Sequence, residues 1–155
     1  MNRFRPRVLI LPEDDANRQV ANGFAVKAAA IDVLNPAGGW DKVRRRFENK
    51  YAGDMYRYPD SRMILLVDFD GRANRLEEMG TCVPRGLQER VFVLGCWTTP
   101  EALRRESGMS WARIGTALAE ECRTGQFDMW SHELLRHNST ELDRIPGDMR
   151  SILFP

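Results

Sequence analysis

Two short stretches place carboxylates where they could do chemistry together. The run ILLVDFDG at residues 64–71 ends an apolar stretch in Asp68 and Asp70, two residues apart. The run VLILPEDD at residues 8–15 ends another in Glu13, Asp14 and Asp15. Side chains two apart on an extended strand share a face, so Asp68 and Asp70 point the same way if the strand continues through them. Crowded carboxylates repel and raise one another's pKa. A hard divalent cation relieves that repulsion, and oxygen ligands of this kind suit Mg²⁺ or Mn²⁺. Each acid also has a plainer use, since Asp-Gly after a strand is a turn signal and Asp14 or Asp15 can cap a helix.

Such a cluster needs two strands that lie side by side. Apolar runs at 7–11, 30–34, 63–67 and 90–94 read as short strands buried on both faces. Between them lie helical patterns. Val20, Ala21, Phe24, Ala25 and Ala28 share one face. Trp40, Val43, Phe47, Tyr51 and Met55 step by three and four, as on one amphipathic helix. Thr99 and Pro100 read as N-cap and first helical residue. Trp111, Ile114, Leu118 and Cys122 mark a further helix, and another is expected over 131–137. The alternation predicts one α/β domain over 1–155: a small, doubly wound, mainly parallel four-stranded sheet flanked by helices, with a helical extension over 101–155. In the common order 2-1-3-4, the first and third strands are neighbours, and ligands sit beyond their carboxyl ends.

Composition narrows the classes. The chain is 43% hydrophobic and 29% charged, with Lys+Arg 23 against Asp+Glu 22 and a net charge of +1. No global field draws it to nucleic acid, so such affinity needs a local patch. Lys42, Arg45, Arg46 and Lys50, with Arg44, Arg57 and Arg62 nearby, could contact phosphates, or simply form a solvated helix face. Tyr56 and Tyr58 could stack on bases. No apolar run has membrane-spanning length. The basic start and short apolar run at 8–11 do not read as a signal peptide. Cys82, Cys96 and Cys122, without a CxxC, read as reduced thiols of a cytoplasmic protein. Glu133 and His137 have the spacing of a surface acid–His pair on a helix. Phosphate-loop and dinucleotide fingerprints are absent.

The ordering of a Glu after the first strand and Asp-x-Asp after a later apolar strand resembles a Toprim domain over about residues 7–100. That is the metal-binding module of topoisomerases, primases and overcoming-lysogenization-defect-type nucleases. The resemblance implies a Mg²⁺-dependent phosphodiester-cleaving enzyme acting on DNA or RNA. Asp68 and Asp70 would hold metal, and Glu13 would bind metal or act as general base. Arg18, one turn into the first helix, could reach the phosphate. The family usually has Gly after that Glu, where this chain has Asp14, which leaves room for a degenerate, non-catalytic Toprim-like binding module. The VLILPEDDANRQ run also resembles a response-regulator receiver, with Asp68 as phosphate acceptor and Thr98 as switch hydroxyl, but no Lys lies beyond position 50. The LLVDFDG run resembles the first motif of haloacid-dehalogenase-type phosphatases, whose later acidic pair is missing here. Oligomerisation is compatible with the sequence.

Overall fold

The computed structural model describes residues 5–155. Residues 1–4, on which part of the signal-peptide reading falls, lie outside the described residues. Four parallel strands form one sheet in the order β2-β1-β3-β4. They are β1 (Arg7–Pro12), β2 (Ile31–Val33), β3 (Ser61–Leu66) and β4 (Val91–Leu94). The expected α/β architecture and strand order are both present. In register, Ile10 faces Ile64 and Pro12 faces Leu66, so β1 and β3 end level.

The two-residue period of the strands sorts the core. Leu9, Leu11, Met63, Leu65, Val91 and Val93 face one layer. Val8, Ile10, Ile64, Phe92 and Leu94 face the other. The first layer holds α2 (Trp40–Arg46), α3 (Ala52–Arg57) and α4 (Arg75–Gly80). The second holds α1 (Asp15–Val26), α5 (Pro100–Ser107), α6 (Trp111–Thr124) and the C-terminal helices α7 (Ser139–Arg144) and α8 (Gly147–Leu153).

The helix expected over Trp40 to Met55 is interrupted. A π-helical turn, Phe47–Tyr51, joins α2 to α3. The apolar stripe explains it. Val43, Phe47, Tyr51 and Met55 step by four, whereas an α-helix turns once in about 3.6 residues. A π turn absorbs the extra residue, keeping Val43, Phe47 and Met55 against the sheet. Thr99 caps α5 through the Ala102 N–H with Pro100 in its first turn, as expected.

The region 131–137 is not the expected α-helix. A short 3₁₀ turn, Arg136–Asn138, leads into α7 instead. Side chains take the backbone donors that a helix would use. Glu121 accepts from the N–H groups of Asp128, Met129 and Trp130, and His132 Nδ1 accepts from that of Leu134. His137 is thereby carried inward, edge-on to Phe69 at 4.7 Å, and makes no surface pair with Glu133. Burial holds its imidazole below the ordinary value, the Gly95 backbone opposing the shift. No hydrogen bond of ordinary geometry reaches either ring nitrogen.

The C-terminal extension also closes the open edge of β4. Buried Glu141 accepts from Val93 N–H, and Asn138 exchanges hydrogen bonds with the Gly95 backbone in both directions. An exposed edge strand would otherwise offer those groups to another chain.

Helices α1 and α6 touch at glycines. A Cβ on Gly115 would lie 2.1 Å from the Val20 carbonyl oxygen, and one on Gly23 would lie 2.2 Å from that of Ala112. Gly→Ala inside a helix ordinarily stabilises by about 0.5–1 kcal/mol. Here the sign reverses: Gly115→Ala should destabilise by about 1–3 kcal/mol through overpacking. Gly53→Ala, in open space on α3, should do the opposite. Urea unfolding of both variants checks the pair.

Candidate metal centre

The level ends of β1 and β3 place the acids. Glu13 continues β1, its N–H donating to the Leu66 carbonyl at 2.9 Å. Its own carbonyl accepts from the N–H groups of Gly38 and Gly39. The Asn-Pro-Ala-Gly-Gly turn after β2 thus folds over the end of β1, with both glycines at positive φ. Beyond β3 the chain stays paired with the segment after β4, Phe69 N–H donating to the Cys96 carbonyl. Asp68 is therefore held inward while Phe69 turns to the opposite layer.

Glu13, Asp14 and Asp68 each offer an oxygen, and the three lie within 4.8 Å of one another. Glu13 and Asp68 are buried and Asp14 half-buried. Asn17 ties two of them together: its Nδ2 donates to Asp14 Oδ1 and to Asp68 Oδ1, both at 3.0 Å. Asp14 is also the N-cap of α1, accepting from the Asn17 N–H.

Burial pushes the Glu13 carboxyl up to about 8, reinforced by the Asp68 charge, by hydrogen bonding to Asp68, and by Asp14 and Asp70. Burial also raises Asp68, to about 6; Asn17 and the Glu13 hydrogen bond oppose that rise, and Asp14 and Asp70 add to it. Ionising either carboxyl makes it harder to ionise the other, so their titrations are linked. Three acids, oxygen-only donors and a stored repulsion fit a hard divalent cation.

Asp70 does not join this group as the two-residue spacing predicts. Its φ of 51°, followed by Gly71 at 68°, ends the extended chain in a left-handed turn, a conformation Asp tolerates better than most residues. Asp70 is exposed and pairs with Arg75 at 3.3 Å, while remaining close enough to raise Glu13 and Asp68. Arg75 in turn stacks on Trp40, 4.1 Å from the ring centroid. Asp15 is exposed and bonded to Arg18 and Gln19. The Arg18 guanidinium is thereby engaged and bonds to no member of the cluster.

The basic residues divide between the two ends of the sheet. Lys42, Arg45, Arg46 and Lys50, with Ala37 and Asn49, line a groove of about 260 Å³. It adjoins the turn that covers Glu13. None of the four cations forms an ion pair among the described residues. Arg57, Tyr56 and Tyr58 precede β3 and so lie at its amino end, away from the acids. Arg62, at the start of β3, bonds to Asp148.

Asn17 is the residue that sequence reasoning missed. Its signal was an amide one turn into the helix that an acidic N-cap begins. No protein-family model, curated protein or solved structure matches this chain. No helix among the described residues is long and apolar enough to cross a membrane.

Raised carboxyl pKa values mean that the folded chain binds protons more tightly than the unfolded one. The stability this gives is complete below the unfolded values near pH 4. It is lost as pH climbs through the folded values, toward about 8 for Glu13. Metal-free protein should therefore lose stability across that window in thermal melts, and Glu13→Gln should remove most of the slope. A flat profile in the wild type would contradict the burial argument.

Proposed function

We propose that Glu13, Asp14 and Asp68 hold a divalent cation, Mg²⁺ or Mn²⁺, and that the chain is a metal-dependent phosphodiester-cleaving enzyme acting on nucleic acid. The observation that carries the reading is the three-carboxylate cluster at the ends of β1 and β3. When bound, such a cation stabilises charge on a phosphate and lowers the pKa of a bound water.

The chain's own groups divide the remaining work. Asn17 bridges Asp14 and Asp68 and so restrains both carboxylates. Once the cation has displaced its own proton, Glu13 would be free to take one from the attacking water as general base. Asp70 stands outside the metal set, and its pairing with Arg75 keeps a guanidinium at the rim. The groove of Lys42, Arg45, Arg46 and Lys50 supplies unpaired positive charge beside the site, suited to the flanking phosphates of DNA or RNA. The likeness of the Glu13 and Asp68/Asp70 pattern to Toprim domains points the same way.

A receiver-like alternative keeps one favourable observation: the buried Thr98 hydroxyl has no hydrogen-bond partner. Phosphate uptake on Asp68 from a small phosphodonor would select it. Under the leading reading, labelled single- and double-stranded DNA and RNA are cleaved with Mn²⁺ or Mg²⁺. Asp68→Asn abolishes that cleavage, and Glu13→Gln lowers it by about 10²–10⁴-fold, the usual worth of a general base. Absence of cleavage by folded wild type on all four substrates would overturn the enzymatic assignment.

A further inference from the structure

The layer that carries the C-terminal extension is incompletely filled. A cavity of about 140 Å³ lies between the sheet, α1, α6 and the extension, walled by residues that include Ile10, Val20, Phe24, Ile64, Leu118 and Trp130. Native interiors hold few voids larger than a water molecule. An engineered apolar cavity of about 150 Å³ in another protein stays dry and binds benzene.

The polar groups on its wall offer little to a ligand. The Asn17 amide is committed to Asp14 and Asp68. Trp130 Nε1 donates to the Leu118 carbonyl. Burial raises the Cys96 and Cys122 thiols, which keeps both neutral. A charged or strongly hydrogen-bonding molecule would lose its hydration there without compensation. The far end differs. Exposed Asp143, Arg150 and Phe127 also line the cavity, so it reaches solvent as well as bordering Asn17.

We propose that this cavity is a binding site for a small uncharged apolar group of about benzene's bulk, which enters past Phe127. The cavity borders the acidic cluster at Asn17, but its apolar volume does not depend on the metal reading.

The test titrates intact protein with indole and with benzene and follows the thermal midpoint. Ligand that binds only the folded state raises that midpoint with concentration. A rise that grows with the logarithm of probe concentration in wild type and disappears in Leu118→Phe, which fills the void, is the expected result. Val20→Phe, at a half-buried wall position, serves the same purpose if Leu118→Phe does not fold. No rise with either probe would overturn the proposal, as would an equal rise in the filled variant. The Mn²⁺ response of each variant is recorded alongside, and it should match wild type.

Discussion

Strands β1 and β3 lie side by side and parallel, and their register ends them at the same level. Each then runs directly into acid. Glu13 and Asp68 are brought together because Glu13 still pairs with β3 at Leu66, while the chain after β3 stays extended and paired with the segment after β4. Asp14 is drawn in because it must cap α1. Repulsion among these groups opposes folding, and burial makes it worse. The fold answers with raised carboxyl pKa values at Glu13 and Asp68, and with Asn17 bridging Asp14 and Asp68. Hydrophobic burial on both faces of the sheet must more than offset this cost.

The layers on either side have different tasks. On one, the π turn lets the α2–α3 stripe follow the sheet while its polar side gathers Lys42, Arg45, Arg46 and Lys50 into a groove. On the other, α1 and α6 meet at Gly23 and Gly115, which sets how closely α1 approaches the rest of that layer. The C-terminal extension completes this second layer and satisfies the edge of β4 through Glu141 and Asn138. The acids thus sit on a rigid base, since both strands that present them are central in the sheet.

Much of this was legible in the sequence. Short apolar runs revealed four strands, three of them largely buried, and their alternation with helical stripes implied the parallel sheet and its order. Glu13 and Asp68 followed from strand ends alone. Asp70 was misplaced because a period of two holds only while the chain stays extended, and Asp70 with Gly71 turns left-handed. Asp14 was weighed both as a cap and as a member of the acidic cluster, and it is both. The segment 131–137 closes in turns instead of a helix, with Glu121 holding the three N–H groups just before it and His132 taking that of Leu134, a competition that no local pattern reveals. Asn17 was invisible because its role depends on Asp68, fifty-one residues away.

The central claim is that the three carboxylates form one divalent-cation site whose proton is displaced on binding. Calorimetric titration of Mn²⁺ near pH 7, in buffers of different ionisation enthalpy, tests it most directly. One ion should bind per chain with net proton release. Glu13→Gln should bind more weakly and without that release, and Asp68→Asn should lose the site. Failure of the wild type to bind, or undiminished binding by both variants, would contradict the account.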